Sequence, residues 1–235
     1  MFEKIHIGAD IETMVKETIK IGKIRENIIL EIDDEVALEH YMEILFRDGR
    51  KISVTCTPSH LEEMILAKRF LANDLETEEL EKWKLSETEA ERLESVNLSE
   101  IFEIAENSFE NPGPLFVETG CAHSCALVYQ GKVMCCIEDI GRHNALDKVI
   151  GYAILNEIPI GASYIFTSGR ISGDYLQKVI DAGFTMVVSR AAVTDQAVKL
   201  SKEHQITMLG FIRKNRGNLY NEGTVRINNS SETLI

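Results

Sequence analysis

The stretch IEDIGRHNALDKVIG, residues 137–151, decides the fold. An apolar run precedes it, and an amphipathic helical pattern follows it, with apolar residues spaced i, i+3, i+4, i+7, i+8 at Leu146, Val149, Ile150, Ala153 and Ile154. Between the two patterns, residues 138–144 hold an acid pair, an arginine, a histidine and an asparagine. The stretch is therefore predicted to be a strand-to-helix junction rich in hydrogen-bonding groups.

The chain on either side of this junction alternates between strand and helix. The hairpin CALVYQGKVMCCIED, turning at Gln130-Gly131, precedes the junction. After it come the apolar runs ASYIFTSGR, TMVVSR and ITMLGFIR, separated by the helical patterns SGDYLQKVIDAG and TDQAVKLSKEH. This succession of βα units predicts an α/β fold, with parallel strands in one sheet and helices on both of its faces. The short apolar run LFVETG, 115–120, is interpreted as a further strand.

The N-terminal part has a different pattern. Residues 27–56 contain strand-like runs with an Asp48-Gly49 hairpin turn, and a helix follows, for which Ser59 and Glu62 form a capping box. The expected organisation is a small β-rich N-terminal subdomain with a closing helix over 1–72, an acidic helical segment over 73–110 and an α/β cofactor-binding domain over 111–235.

Charge is distributed unevenly along the 235 residues. The net charge is −13; residues 1–110 hold 13 Lys and Arg against 27 Asp and Glu, whereas residues 111–235 hold 12 against 11. The acidic half would repel phosphate, so nucleic acid is not expected as a partner, and the neutral half suits a small anionic ligand better. No apolar run reaches membrane-spanning length and no secretory signal is present, so a cytoplasmic protein that does not bind a membrane is expected.

Three polar turns follow predicted strands: EDIGRHN at 138–144, TSGRIS at 167–172 and FIRKNR at 211–216. Ligands of such sheets bind beyond the carboxyl ends of the strands, and each turn supplies an arginine for an anion. We therefore expect one anion-binding pocket. The alternative is structural: Asn144 caps a helix, Asp139 pairs with Arg142 or Arg170, and His143 packs in the core.

The five cysteines make a disulfide framework improbable in a cytoplasmic chain. In GCAHSC, residues 120–125, the spacing of Cys121, His123 and Cys125 is compatible with ligands of a zinc ion. A reactive thiolate at Cys121 is the stronger hypothesis, with His123 close by to lower the pKa of the thiol. No metal is predicted. Cys135, Cys136 and Cys56 are interpreted as structural residues.

Several of these segments resemble the FdhD family of formate dehydrogenase accessory proteins. IEDIGRHNALDKVIG, SGRISGDYLQK and GFIRKNRGNLY match it in order and spacing, ETGCAHSCALV resembles its TGG-x-H segment, and TCTPSHLEEMILAKRFL resembles its TP-x-x-L helix. The resemblance implies a cytidine-deaminase-like three-layer sheet with a small β-rich N-terminal subdomain, and a homodimer. It also implies a cytoplasmic sulfurtransferase that carries sulfur as a persulfide from a cysteine desulfurase to the molybdenum bis-guanine-dinucleotide cofactor, before formate dehydrogenase receives that cofactor.

The resemblance also implies site residues. The guanine-dinucleotide site, for which GDP is a mimic, falls on Phe211, Ile212, Arg213, Lys214, Asn215 and Arg216. Other polar turns complete the pocket with His123, Asp139, Arg142, His143, Asn144, Ser168, Gly169 and Arg170. The chain departs from the family in having no cysteine between Cys56 and Cys121, where the family carries its sulfur-bearing cysteines. Cys121 stands where the family has glycine, and RAAVT, 190–194, replaces the family's Ser-Ala-Pro-Thr turn.

Three functions are therefore weighed. The first is a sulfurtransferase with Cys121 as catalytic residue, and the second is a cofactor binder or chaperone that has lost the sulfur relay. The third, a zinc-dependent deaminase-like enzyme, rests on fold similarity alone: no PCxxC motif is present, and His123 is followed by Ser124 and Cys125.

Overall fold

The structure is a computed structural model that describes residues 14–75, 81, 84, 88, 90–109 and 113–229. Its strands are β1 (Lys16–Arg25), β2 (Ile28–Ala37), β3 (His40–Leu45), β4 (Lys51–Cys56), β5 (Ser95–Asn97), β6 (His123–Tyr129), β7 (Lys132–Asp139), β8 (Ser163–Thr167), β9 (Met186–Ser189), β10 (Thr207–Arg213), β11 (Arg216–Asn221) and β12 (Arg226–Asn228). Its helices are α1 (Leu61–Leu71), α2 (Leu98–Phe109), α3 (Pro114–Thr119), α4 (Arg142–Leu155), α5 (Gly173–Ala182) and α6 (Asp195–Glu203), with a 3₁₀ turn at Ile160–Ala162.

A six-stranded sheet forms the centre of the molecule, in the order β11-β10-β9-β8-β6-β7. β8, β9 and β10 run parallel to one another, while β6, β7 and β11 are joined by antiparallel pairing. The α/β class is confirmed, but the sheet is mixed rather than wholly parallel. The Gln130-Gly131 hairpin supplies β6 and β7, and the turn between Arg213 and Arg216 reverses the chain into β11.

Alternate residues of the strands face two separate cores, because side chains point to opposite sides of a strand in turn. On one face, Cys125, Leu127, Ile165 and Val187 pack with apolar residues of α1, α4, α5 and α6. On the other face, Ala126, Val128, Phe166 and Val188 pack with α2. The sheet is therefore the middle of three layers.

The N-terminal region forms two separate two-stranded sheets, β1-β2 and β3-β4. The β3-β4 hairpin turns at Asp48-Gly49, as predicted, and Ile44, Val54 and Cys56 form a small core with Met64 of α1. α1 lies against α4 at Gly151, where a Cβ atom would stand 1.8 Å from the carbonyl oxygen of Glu63. Only glycine allows these two backbones to approach so closely.

Two local predictions were wrong. Residues 115–119 are helical, not a strand, because Pro114 starts a helix and Gly120 ends it with a φ of +68°. The N-cap of α1 is His60 rather than Ser59, and the His60 Nδ1 lies 2.9 Å from Glu63 Oε1. Much of the predicted acidic segment, including residues 76–80, lies outside the described residues. Among the described residues no helix is long and apolar enough to cross a membrane.

Candidate functional site

The three predicted turns meet at one edge of the central sheet. Because β7, β8, β9 and β10 run in the same direction, their carboxyl ends share this edge with the amino ends of β6 and β11. His123 stands opposite Asp139, Cys125 opposite Thr167, and Thr167 opposite Ser189. The mixed sheet therefore places side chains from distant parts of the chain, such as Phe116 and Arg213, at the same edge.

A cavity of about 570 Å³ opens at this edge. Its lining comes from α3 and from residues at or next to the ends of β6, β7, β8, β9 and β10: Phe116, Gly120, Cys121, Ala122, His123, Ser124, Ile140, Ser168, Arg190, Ala191 and Arg213. The volume lies within the range of small-molecule sites in proteins. Two arginines and no acidic side chain stand among these lining residues, so the cavity lining is locally positive in a chain of net charge −13.

Helix α3 positions Cys121 in the cavity wall. The Glu138 carboxylate accepts hydrogen bonds from the backbone N–H groups of Leu115 and Phe116, both at 3.0 Å, and thereby caps the amino end of this helix. At the other end, Gly120 adopts the left-handed conformation, and the N–H of Cys121 donates to Thr119 Oγ1 at 3.1 Å. The Cys121 side chain is left exposed.

His123 is half-buried two residues further on, at the start of β6. Burial lowers the pKa of His123, and the nearby charges of Arg142 and Arg170 lower it further. The imidazole is therefore neutral at neutral pH, because both burial and the arginine charges disfavour its protonated form. Arg142 and Arg170 are near enough for their charges to act on His123, but neither residue lines the cavity.

Asp139 and Asn144 hold the junction together rather than lining the cavity. Asp139 is completely buried, and its carboxylate accepts from Lys148 Nζ at 2.6 Å, from the Thr57 N–H at 3.0 Å and from the Gly141 N–H at 2.8 Å. Asn144 Nδ2 donates to Asp139 Oδ1 at 3.0 Å and to the Thr55 carbonyl at 2.8 Å. The ion-pair partner of Asp139 is Lys148, not either of the expected arginines.

Arg142 and His143 lie at the first turn of α4. The Arg142 guanidinium donates to Ser172 Oγ at 3.3 Å, and its side chain passes close to Gly169, where a Cβ atom would stand 3.0 Å from Arg142 Cβ. His143 Nε2 lies 3.0 Å from the Asp174 carboxylate, and its ring packs edge-on against Tyr175. Burial lowers the pKa of His143.

The second turn contributes Ser168 to the cavity wall. Ser168 Oγ accepts from the N–H of Ser124 at 2.8 Å, and the Ser168 N–H donates to the Ser124 carbonyl at 2.9 Å, which ties the turn to β6. Gly169 is buried, and its backbone N–H donates a hydrogen bond to Thr167 Oγ1 at 3.1 Å. Arg170 is exposed.

Of the third turn, only Arg213 lines the cavity. Ile212 is buried in the core on the α2 side, and Lys214 Nζ pairs with Glu106 at 3.0 Å. Asn215 is exposed at the hairpin tip and Arg216 at the start of β11. Phe211 is 41% exposed and lies in a β-bulge, where its φ is +54°. The backbone N–H of Phe211 donates a hydrogen bond to the carbonyl of Ala191 at 3.0 Å.

Sequence reasoning assigned no role to Arg190, although it identified the turn that contains it. Arg190 and Ala191 follow β9 and line the cavity. A signal was present, because Arg190 stands directly after an apolar strand, as the arginines of the other turns do. Phe116 and Ile140 are also in the wall, but nothing local in the sequence distinguishes these two apolar residues.

Comparison with known proteins shows the family to which the chain belongs. The chain matches the FdhD/NarQ family over residues 71–228. The chain belongs to this family. It is 31% identical to protein FdhD of Methanocaldococcus jannaschii, in an alignment that covers 89% of this chain and 98% of that protein. It is 28% identical to sulfur carrier protein FdhD of Halalkalibacterium halodurans, in an alignment that covers 88% of this chain and 93% of that protein.

A solved structure agrees with the family membership. The crystal structure of a candidate formate dehydrogenase accessory protein from Desulfotalea psychrophila superposes with a TM-score of 0.75 at 26% identity, covering 88% of this chain and 97% of that one. The resemblance expected from the sequence is therefore confirmed. Likeness to cytidine deaminases in particular stays a prediction.

Within this FdhD/NarQ chain, the five cysteines lie in different environments. Cys56 and Cys125 are buried, and burial raises the pKa of each thiol. Burial raises the pKa of Cys135 to about 12, and burial together with the Glu138 charge raises that of Cys136 to about 11. Cys121 alone of the five lines the cavity. Among the described residues, no group of three or more His, Cys, Asp or Glu side chains could hold a metal ion.

Proposed function

We propose that this chain is a sulfur carrier for formate dehydrogenase, and that Cys121 carries the sulfur as a persulfide. The observation that carries the proposal is the position of Cys121: it is exposed, and it lines an anion-attracting cavity at the sheet edge. Relatives that match most of the chain are named sulfur carrier protein FdhD, which supports the same function.

The first step of the proposed reaction loads the carrier. The Cys121 thiolate attacks the outer sulfur of a persulfide on a cysteine desulfurase, a new S–S bond forms, and the thiolate of the desulfurase leaves. Neutral His123, two residues away, is suited to accept the proton of the Cys121 thiol, because its lowered pKa leaves the imidazole unprotonated at neutral pH.

The second step delivers sulfur to the molybdenum bis-guanine-dinucleotide cofactor, which is the substrate here. The outer sulfur atom is transferred as S⁰, the Cys121 thiolate is regenerated, and the reduced metal centre supplies the two electrons that convert this sulfur to sulfide. Arg190 and Arg213 are suited to the diphosphate of one guanine-dinucleotide arm, for which a cavity of about 570 Å³ is large enough, and GDP is the corresponding probe.

A second function keeps the pocket without the relay: a binder or chaperone for the same cofactor. It is favoured by the absence of any cysteine between Cys56 and Cys121, where the family carries its sulfur-bearing residues. Both functions place the chain in the cytoplasm, as a homodimer, beside formate dehydrogenase, and only the first needs the cysteine desulfurase.

Sulfur loading separates the two functions. The chain is incubated with a cysteine desulfurase and cysteine, and the persulfide is located by mass spectrometry of the peptides. We expect an added sulfur on Cys121, lost in Cys121→Ser and retained in the matched control Cys136→Ser. Unchanged loading of Cys121→Ser rejects the assignment of the carrier residue. Full rescue of formate dehydrogenase activity by a cysteine-free chain, in a strain lacking its own FdhD, favours the binder.

A further inference from the structure

The helix that precedes Cys121 has little hydrophobic support. α3 has six residues, of which Leu115 is buried, whereas Phe116 is 42% and Val117 65% exposed. A helix this short is not stable on its own, and in proteins most helical stability comes from the packing of an apolar face. Polar contacts at the two ends of α3 are therefore important for holding the helix, and with it Cys121, in place.

Glu138 of β7 fixes the amino end of α3. Its carboxylate accepts from the N–H groups of Leu115 and Phe116, and it also lies against the backbone of Gly113, where a Cβ atom would stand 2.2 Å from Glu138 Cδ. Only glycine leaves room for the carboxylate at this position. This end of the helix is therefore attached to the central sheet.

The carboxyl end of α3 lacks a cation of its own. Glu118 lies in the last turn, where the helix dipole disfavours an acidic side chain, and no basic residue stands in that turn. The cation comes from a distant part of the chain: Lys16 Nζ, at the start of β1, lies 2.5 Å from Glu118 Oε2. The hydrogen bond with Glu118 raises the pKa of Lys16, so this lysine is charged at neutral pH.

Lys16 joins α3 to the β1-β2 ribbon, which is the two-stranded sheet of residues 16–37. The ammonium group of Lys16 also lies 3.5 Å from Glu35, and Glu35 in turn accepts a hydrogen bond from Thr18 Oγ1 at 2.6 Å. The base of the ribbon thus holds the lysine that holds Glu118. α3 also packs against β2, so the ribbon and the helix are in direct contact.

The other ion pairs of the ribbon stay inside it. Lys20 Nζ lies 3.5 Å from Glu31 and 3.7 Å from Asp33, both on the opposite strand. Among the described residues, the pair of Lys16 and Glu118 is the ion pair that connects the ribbon to the rest of the chain. Lys20 is therefore a matched comparison for Lys16, since both are lysines on β1 with carboxylate partners.

We propose that Lys16 is a positioning residue for Cys121. Its contact with Glu118 holds the end of α3, where Gly120 turns the chain and the Cys121 N–H donates to Thr119 Oγ1. When the contact is broken, this end loosens. The thiol then becomes easier to reach for a small reagent, but it is presented less well to a large sulfur donor. The base of the ribbon thereby regulates the reactivity of Cys121.

This proposal rests on the proposed function for its effect on sulfur loading, but not for its effect on the thiol itself. Two measurements on the full chain are therefore compared. The rate at which iodoacetamide alkylates Cys121, followed by mass spectrometry of the peptide, reports access to the thiol without any sulfur donor. Sulfur loading by a cysteine desulfurase and cysteine reports how the thiol is presented to a protein.

Charge exchange tests the ion pair. Lys16→Glu places like charges together and should be alkylated at Cys121 about two- to five-fold faster than the wild type, the range for an exposed ion pair, while sulfur loading becomes slower. K16E/E118K brings opposite charges together again and should return both rates toward those of the wild type. Lys20→Glu is the control and should change neither rate. Circular dichroism shows whether each variant folds. Wild-type alkylation of folded Lys16→Glu, or no recovery in folded K16E/E118K, overturns the proposal.

Ionic strength gives a second test that does not depend on a charge-reversed variant. At 1 M salt the Debye length is about 3 Å, so an exposed ion pair is largely screened. Alkylation by uncharged iodoacetamide should therefore rise more with salt in the wild type than in Lys16→Met, which has no ion pair to lose and keeps the same cavity. Equal salt dependence of the two chains overturns the role of Lys16.

The two measurements separate this proposal from the proposed function. If the wild type takes no sulfur on Cys121 but Lys16→Glu is still alkylated faster, the sulfur carrier is wrong and the positioning role stands. If the wild type is loaded on Cys121 and the alkylation rate does not depend on Lys16, the positioning role is wrong and the sulfur carrier stands.

Discussion

The α4 junction and the β1-β2 ribbon use the same residue types in opposite ways. At the junction, the buried carboxylates have partners inside the chain: Asp139 pairs with Lys148, and Asp147 lies 2.7 Å from Lys68 and 2.6 Å from Lys178. On the β1-β2 ribbon, by contrast, four charged side chains are exposed and form no ion pair with another described residue: Glu17, Lys23, Arg25 and Asp34. Buried charges need internal partners because desolvation is costly, whereas exposed ones are free to meet another molecule.

The two regions should differ most in the loss of unfolding free energy that follows when one lysine is replaced in each. Lys148→Met leaves the buried Asp139 carboxylate without its cation and should lower the free energy of unfolding by about 3–5 kcal/mol. Lys20→Met removes an exposed partner of Glu31 and Asp33 and should leave the denaturation midpoint unchanged. Chemical denaturation measures both. Equal losses of unfolding free energy in the two variants would show that a buried and an exposed ion-pair partner are equally important for stability.

The same glycine substitution should also separate the regions. In Gly151→Ala, the new methyl group meets the backbone of Glu63 at 1.8 Å, and overpacking of this kind costs about 1–3 kcal/mol, or more where backbone must move. In Gly22→Ala, the nearest atom is Cγ2 of Ile29 at 2.8 Å, the end of a flexible side chain. Thermal unfolding should therefore show a clear decrease for the first variant and little change for the second.

A smaller effect is expected when one glutamate is truncated in each region. Glu138→Ala removes the carboxylate that caps α3 and should cost about 0.5–2 kcal/mol, with faster alkylation of Cys121 as the helix loosens. Glu31→Ala removes only a surface partner of Lys20. Alkylation rates followed by mass spectrometry compare the two. An unchanged rate in Glu138→Ala would show that the cap does not position Cys121.

The smallest expected effect is a pH dependence confined to the cavity. Because the folded pKa of His123 lies below its ordinary value, its contribution to stability is complete above the unfolded pKa and is lost as the pH falls toward the folded pKa. Arg170→Gln should raise the His123 midpoint in an NMR titration, and added GDP should raise it as well. Lys20→Gln in the ribbon is the control and should not move it.

The sequence predicted the fold from its periodicity, and tertiary contacts explain where that failed. Alternating strand and helix patterns placed the core elements correctly, because apolar periodicity reflects burial on one face. Residues 115–119 were interpreted as a strand, because a short apolar run has no clear period. Their helical state depends on Glu138, which is near them in space but more than 20 residues away in the chain.

The sequence predicted where the polar turns meet, but not which of their side chains line the cavity. The three polar turns do meet at one edge, and Cys121, His123, Ser168 and Arg213 line one cavity there. Asp139 and Asn144 were expected in the pocket, but they are occupied by Lys148, Thr57 and Thr55. A polar side chain beside a strand end is compatible with a ligand or with a buried partner, and only the partner's position distinguishes the two.

By itself, the sequence determined the fold class, the family and the edge of the sheet at which the three polar turns meet, because these depend on local periodicity and on the order of motifs along the chain. The tertiary structure decided which of the crowded groups in IEDIGRHNALDKVIG are buried supports and which surround the cavity. It also decided which side of the first hairpin leaves its charges unpaired. Both depend on contacts between distant segments, such as Thr57 with Lys148, and no local pattern encodes them.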